Sequence, residues 1–130
     1  MKKILVVEDD NFLANAYSIK LNTSGFEVKI ARDGDETAKI LLDYLPDIIL
    51  LDLLLPKKDG FTILQELKKD KKFQDIPVIV VSNLGQKEDI EEATRLGAVK
   101  YIVKTEYGLE EIIGIIKEFI NKQGGGKPSE

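Results

Sequence analysis

Hydrophobic residues form two kinds of segment that alternate along this chain. Short apolar runs predict strands, and a run without polar gaps predicts a strand covered on both faces. Three such uninterrupted runs occupy residues 4–7, 48–51 and 78–81, and a fifth strand is predicted at residues 99–103, where Lys100 interrupts the apolar residues. Between the first two, apolar and charged residues alternate from position 26 to position 30, which predicts a half-exposed strand at an edge of the sheet.

Longer segments with apolar residues three or four positions apart separate these strands and predict amphipathic helices. In the first, near residues 11–24, the apolar positions are Phe12, Leu13, Ala16, Tyr17 and Leu21. The second opens at Gly34 and is closed by Pro46, with Ala38, Leu41, Leu42 and Leu45 as its apolar positions. Three further helices are predicted around residues 63–67, at 87–96 and at 107–121.

The order of elements is therefore a strand followed by a helix, five times. This alternation predicts an α/β fold in which helices cover both faces of a parallel sheet. Residues 1–122 are expected to form one domain, and the glycine-rich, polar segment 123–130 is expected to be a flexible C-terminal tail.

Composition limits the chemistry that the domain can perform. The 130 residues include no cysteine and no histidine, so disulfides, thiolate catalysis and the commonest general base are excluded. Any metal must be bound by oxygen, which favours a hard ion such as Mg²⁺. A net charge of −4 gives no reason to expect nucleic acid. The first apolar run is too short for a signal peptide or a membrane span, so a cytoplasmic location is expected.

Polar residues follow the predicted strands where each strand ends. Glu8 and Asp9 follow the first, Asp52 the third, Ser82 ends the fourth and Lys104 follows the fifth. The carboxyl ends of parallel strands meet at one edge of the sheet, where α/β proteins bind ligands. We therefore expect these five side chains to converge. Each alone has a simpler explanation as a turn or surface residue, but their recurrence at strand ends favours a functional site. Asp10 is predicted to cap the first helix.

The charges of these residues suggest a metal-dependent phosphoryl chemistry. Three carboxylates at close range repel one another, and a divalent cation together with Lys104 would neutralise them. Asp9 and Asp52 are the expected direct ligands of Mg²⁺, while Glu8 is long enough to act through water. Asp52 can attack phosphorus and form an aspartyl phosphate. Lys104 and Ser82 would then stabilise the transferring group.

Four segments together resemble the receiver domain of two-component response regulators, of which the chemotaxis regulator is one example. The segments are residues 4–10, residues 51–56 with Asp59-Gly60, residues 80–82, and Gly97-Ala98 with residues 101–104. The resemblance covers residues 2–121. It implies a doubly wound (βα)5, flavodoxin-like three-layer sandwich with strand order 2-1-3-4-5.

The resemblance also implies roles for single residues. Asp52 would be the phosphoacceptor, and Glu8, Asp9, Asp52 and the backbone carbonyl of Leu54 would hold Mg²⁺. Ser82 would contact the phosphoryl group and move on activation, Tyr101 would be the switch aromatic that then swings inward, and Lys104 would pair with the phosphoryl group. The output surface would be the face of the fourth helix, fifth strand and fifth helix, which includes Arg95, Tyr101 and part of the segment 107–121.

Three features depart from the family pattern. Thr105 stands where proline usually follows the lysine, so a cis peptide bond is not expected there. Asn83 is larger than the usual residue and could narrow access to Asp52. Leu54 and Leu84, two positions after Asp52 and Ser82, cannot orient an attacking water, which predicts slow self-dephosphorylation.

Other functions fit the sequence less well. A haloacid-dehalogenase-type phosphatase needs an acidic residue where Leu54 stands. A flavodoxin-like flavin binder needs a phosphate-binding loop where Glu8, Asp9 and Asp10 would repel phosphate. A pseudo-receiver that only docks partners would lack part of the site, and only Thr105 and Asn83 favour it.

The sequence therefore predicts a single-domain, non-enzymatic switch of a phosphorelay. With no histidine in the chain, any phosphohistidine donor must be another protein. A sensor histidine kinase or a histidine phosphotransfer protein is the expected partner. A downstream protein target is expected, and DNA binding through this chain or contact with a membrane is not. The chain is predicted to be a monomer, or a phosphorylation-linked dimer if Ile115 is exposed.

Overall fold

A computed structural model describes the backbone of residues 1–125 and the side chains of residues 1–122. Five strands form one parallel sheet: β1 Lys3–Val7, β2 Glu27–Ala31, β3 Ile48–Leu51, β4 Val78–Ser82 and β5 Lys100–Val103. Their order is β2-β1-β3-β4-β5, which confirms the predicted sheet and the edge position of β2.

Five α-helices connect and cover the strands: α1 Asn11–Thr23, α2 Gly34–Leu41, α3 Gly60–Lys69, α4 Lys87–Arg95 and α5 Leu109–Gly125. A short 3-10 turn, Lys104–Glu106, precedes α5. No helix in the described part of the chain is long and apolar enough to cross a membrane.

The sheet separates two buried clusters because side chains alternate along each strand. Leu5, Leu51 and Val80 face the cluster that α2, α3 and α4 cover. Ile4, Leu50 and Val81 face the other cluster, which contains Tyr17 and Leu21 of α1 and residues of α5. This is the three-layer arrangement that the sequence predicts.

Two helix faces differ from the prediction. Phe12 is exposed, and Ala14 lies in the core instead, because the inner face of α1 follows Ala14, Tyr17 and Leu21. The helix α2 ends at Leu41, short of Leu42 and Leu45, and both of these leucines are exposed.

The last helix also differs in its bounds. It begins at Leu109 rather than at Tyr107, because the 3-10 turn takes the chain away from β5 first. It continues to Gly125, so residues 123–125 of the predicted tail extend the helix. The remainder of that tail, residues 126–130, lies outside the described residues, and its flexibility stays a prediction.

Candidate functional site

Asp52 lies immediately after β3, the central strand of the sheet. Only 6% of its surface is exposed. Its backbone N–H donates to the carbonyl of Val7, 3.0 Å away, which extends the pairing of β3 with β1 by one residue. Its carboxylate Oδ1 accepts a hydrogen bond from the N–H of Leu54 at 3.1 Å. The backbone therefore fixes the position of this carboxylate at the edge of the sheet.

Two acidic residues follow the neighbouring strand β1. Glu8 is 3% exposed, and its Oε2 accepts from the N–H of Asp10 at 3.2 Å, whereas Asp9 is exposed. Asp10 is the N-cap of α1, because its side chain accepts from the N–H of Leu13 at 3.0 Å, which confirms its predicted role. The first strand thus supplies one buried and one exposed carboxylate to the site.

Lys104 contacts the buried carboxylates from the end of β5, an edge strand of the sheet. It is the first residue after β5, and its side chain is 10% exposed. Its Nζ lies 2.6 Å from Oε1 of Glu8 and 2.9 Å from Oδ2 of Asp52. One ammonium therefore bridges two carboxylates that lie 44 positions apart in sequence (52 minus 8).

Burial and pairing act on the ionisation of these groups in opposite directions. Burial raises the pKa of the Glu8 carboxyl, the bond from Lys104 lowers it in part, and the charge of Asp52 raises it further. Burial alone would lower the pKa of the Lys104 ammonium, but its bonds to Glu8 and Asp52 raise it overall. The ammonium consequently stays charged and stabilises the carboxylates beside it.

The carboxylates also form a suitable set of metal ligands. Glu8, Asp9 and Asp52 each offer an oxygen atom, and the three atoms lie within 4.8 Å of one another. Carboxylate oxygens are the ligands that Mg²⁺ and related hard cations prefer. The donor set therefore fits a divalent cation.

Ser82 and Tyr101 lie beside this cluster on β4 and β5. The Ser82 hydroxyl is fully buried and accepts from the N–H of Leu84 at 3.3 Å. The Tyr101 hydroxyl donates to the carbonyl of Leu84 at 2.5 Å, and its ring is half-buried. Ser82 and Tyr101, the two predicted switch residues, thus both form hydrogen bonds with Leu84, Ser82 with its N–H and Tyr101 with its carbonyl.

Two of the departures from the family pattern lie at the surface of the site. Asn83 and Thr105 are exposed, and Thr105 belongs to the 3-10 turn that follows β5. Arg95, on the predicted output face, is exposed and pairs with Glu92 at 2.6 Å. These three side chains make no described contact with Asp52.

Two features of the site were not predicted from the sequence. The acceptor that Tyr101 uses is a backbone carbonyl, so no residue type signals it. Tyr17 is 2% exposed, burial raises the pKa of its hydroxyl to about 12, and that hydroxyl has no hydrogen-bond partner among the described residues. Its position on the apolar face of α1 gave no sign of an unpaired polar atom there.

Comparison with known proteins identifies a family that covers all of these site residues. The response regulator receiver domain family matches residues 4–117. The chain belongs to this family. Receiver domains are signalling modules of two-component systems that pair with histidine kinases, and they are generally not classed as enzymes.

Curated transcriptional regulators are among the proteins that are similar to this chain. The DNA-binding dual master transcriptional regulator RpaA of Synechocystis sp. is 35% identical over 122 residues, which are 94% of this chain and 50% of RpaA. The chain thus spans about half the length of curated relatives that it matches.

Two solved structures show the likeness of fold. The phosphorylated cyanobacterial phytochrome response regulator RcpA is 35% identical, with a TM-score of 0.77 over 93% of this chain and 92% of that one. The Mn²⁺-bound form of response regulator Rcp1 is 29% identical, with a TM-score of 0.82 over 99% and 98% of the two chains.

Proposed function

We propose that this receiver domain is a Mg²⁺-dependent switch that accepts a phosphoryl group on Asp52. The observation that carries the proposal is the position of Asp52, buried at the end of the central strand and in contact with Lys104. Two similar proteins support the proposal, since RcpA has been seen phosphorylated and Rcp1 has been seen with bound Mn²⁺.

In the proposed reaction, one carboxylate oxygen of Asp52 attacks the phosphorus of a phosphohistidine on a partner protein. An O–P bond to Asp52 forms, the N–P bond breaks, and the donor imidazole leaves with the electron pair of that bond and takes up a proton. Lys104 holds the negative charge of the transferred group, and Ser82 donates a hydrogen bond to one of its oxygens. Glu8, Asp9, Asp52 and the carbonyl of Leu54 would hold Mg²⁺, which would supply positive charge to offset that of the phosphoryl group.

The signal would leave the site through Leu84. When Ser82 turns toward the phosphoryl group, its bond with the N–H of Leu84 changes, and Tyr101 is bonded to the carbonyl of the same residue. A change at Asp52 thereby alters the surface of α4, β5 and α5, which a downstream protein would bind. A histidine kinase or a phosphotransfer protein would supply the phosphoryl group.

A phosphorylation-linked dimer through α5 was expected only if Ile115 is exposed. In the structure Ile115 is half-buried and packs against the cluster that contains Tyr17. That condition is not met, so we do not propose such a dimer.

The experiment is an intact-mass measurement after incubation with a small-molecule phosphodonor and Mg²⁺. We expect one added phosphoryl group on the natural chain, and none on Asp52→Asn or without Mg²⁺. If the natural chain gains no mass, Asn83→Ala is tested with the same donor. A gain in that variant would show that Asn83 restricts access to the site, and its absence would favour a docking-only receiver.

A further inference from the structure

Arg32 places a positive charge at the edge of the sheet that carries Asp52. It directly follows β2, and the N–H of Glu8 donates to the carbonyl of the preceding residue, Ala31, at 2.9 Å. Arg32 therefore lies beside the first acidic residue of the site. It is exposed, and its guanidinium forms no ion pair with a carboxylate in the part of the chain that the structure describes.

The two arginines of this chain are bonded differently. Arg95 donates twice to the carboxylate of Glu92, at 3.0 and 2.6 Å. The Nε of Arg32 instead donates to the side-chain carbonyl of Asn11 at 2.6 Å, while its backbone N–H donates to Glu36 at 2.9 Å. A neutral amide thus fixes the guanidinium at Nε. Its two terminal nitrogens, which carry the other N–H donors, have no partner among the described residues.

Arg32 and Lys104 lie on opposite sides of Asp52. Each directly follows an edge strand, β2 or β5, and each edge strand is two strands away from β3. Neighbouring strands are about 4.8 Å apart, so both residues begin about 10 Å from the end of β3. Lys104 spans this distance, since its Nζ lies 2.9 Å from Oδ2 of Asp52. The side chain of an arginine is at least as long, so it can reach a group that approaches Asp52.

An incoming phosphodonor meets mostly negative charge at this edge. A phosphoryl group is itself an anion, and Asp9 and Asp10 are exposed there. Lys104 is 10% exposed and already bonded to two carboxylates, and Lys57 pairs with two aspartates. Of these three basic residues, Arg32 alone is exposed and without an acidic partner among the described residues. A guanidinium binds phosphate oxygens in pairs, which suits it to capture such a group.

We propose that Arg32 binds the phosphoryl group of an incoming phosphodonor before Asp52 attacks it. The ligand class is an anionic phosphoryl group, which acetyl phosphate, phosphoramidate and phosphohistidine share. The terminal N–H groups of the guanidinium would bind two phosphoryl oxygens while Nε remains bonded to Asn11. The inference rests on the proposed function, because it assigns the binding step that precedes phosphoryl transfer to Asp52.

The test compares the natural chain with Arg32→Gln and Arg32→Lys in phosphorylation by acetyl phosphate and by phosphoramidate, with Mg²⁺ present. Intact mass over time, at several donor concentrations, gives the second-order rate constants. We expect Arg32→Gln to lower this constant about three- to tenfold with both donors, because charge-assisted hydrogen bonds are lost. Arg32→Lys keeps the charge but not the paired geometry, so it should recover only part of that loss.

Lys29→Gln is the matched control, because it removes one positive charge from an exposed position on the same strand, where Nζ of Lys29 lies over the ring of Tyr44. It should be phosphorylated at the natural rate. Equal slowing in Lys29→Gln and Arg32→Gln would show a general effect of charge and overturn the inference, as would a natural rate in Arg32→Gln.

Binding of inorganic phosphate tests the same contact without phosphoryl transfer. We expect phosphate, with Mg²⁺ present, to shift the NMR signal of the Arg32 Nε–H in the natural chain. A shift without any gain of mass from the phosphodonors would refute phosphorylation of Asp52 but support the anion site. A gain of mass with no shift of this signal would overturn the inference and leave the proposed function standing.

Discussion

At Lys104, one ammonium faces two carboxylates that are almost completely buried. Removing one member of such a group leaves buried charge without compensation, which commonly costs about 3–5 kcal/mol. Through its contacts of 2.6 Å with Glu8 and 2.9 Å with Asp52, Lys104 neutralises part of the negative charge of both buried carboxylates.

We therefore predict that Lys104→Met lowers the free energy of unfolding by about 3 kcal/mol in the absence of divalent cations. Urea denaturation at neutral pH measures this change. Lys58→Met is the control, because Lys58 pairs with Glu66 at 2.9 Å but both side chains are well exposed. Exposed pairs contribute little, so this variant should change stability by less than about 1 kcal/mol. Equal losses in the two variants would contradict the special position of Lys104.

The side chain of Leu54 bears on how long the proposed aspartyl phosphate would persist. Its side chain is 50% exposed and lies two positions after Asp52, where an apolar group cannot orient an attacking water. We predict slow loss of the phosphoryl group from the natural chain, and a loss about three to ten times faster in Leu54→Asn, whose amide can orient water. The decay of the phosphorylated mass with time measures both rates.

The control for this substitution is Leu45→Asn, since Leu45 is 54% exposed and lies after α2, away from Asp52. It should decay at the natural rate. Rapid decay of the natural protein would refute the prediction that Leu54 and Leu84 prolong the phosphorylated state.

At the scale of elements, the loop between β3 and α3 has no room for a side chain at Gly60. A Cβ atom there would lie 2.4 Å from the carbonyl oxygen of Asp52 and 2.6 Å from Cα of Leu53. Since both are backbone atoms, the loop that carries Asp52 would have to shift.

We predict that Gly60→Ala destabilises the protein by about 3 kcal/mol and slows phosphorylation. Gly114→Ala is the matched control, because Gly114 is exposed within α5 and a Cβ there has nothing within 4 Å. Alanine favours a helix more than glycine does, so this variant should gain up to about 1 kcal/mol. Thermal or urea unfolding compares the two. A Gly60→Ala protein as stable as the natural one would mean that the loop adapts without cost.

The sequence predicted the elements better than their ends. The continuous apolar runs located β1, β3 and β4 because only a strand covered on both faces has no polar positions. The helical spacing of apolar residues was misleading at Leu42 and Leu45, because α2 ends at Leu41 and both leucines lie beyond its buried face. Contacts of backbone atoms, such as the carbonyl of Leu84 with Tyr101, leave no mark in the residue types.

At the scale of the whole molecule, parallel pairing brings residues 8, 52 and 104 to one edge of the sheet. The approximate location of the site followed from this rule alone. The bridge from Lys104 to both buried carboxylates did not, because it depends on side-chain conformations that strand order does not determine. The clustering of like charges at that edge opposes folding, so a cation bound there should stabilise the entire domain.

We predict that Mg²⁺ raises the free energy of unfolding, by about 2.7 kcal/mol at a concentration one hundred times the dissociation constant. Asp9→Asn should need a higher Mg²⁺ concentration for the same gain, because it removes one of the three clustered carboxylates. Asp9 is exposed, so the variant should fold normally. Urea denaturation in increasing MgCl₂, with NaCl at equal ionic strength as the control, separates a bound ion from general screening. If MgCl₂ and NaCl stabilise the protein equally, or if Asp9→Asn responds like the natural chain, the proposed magnesium ligands are wrong.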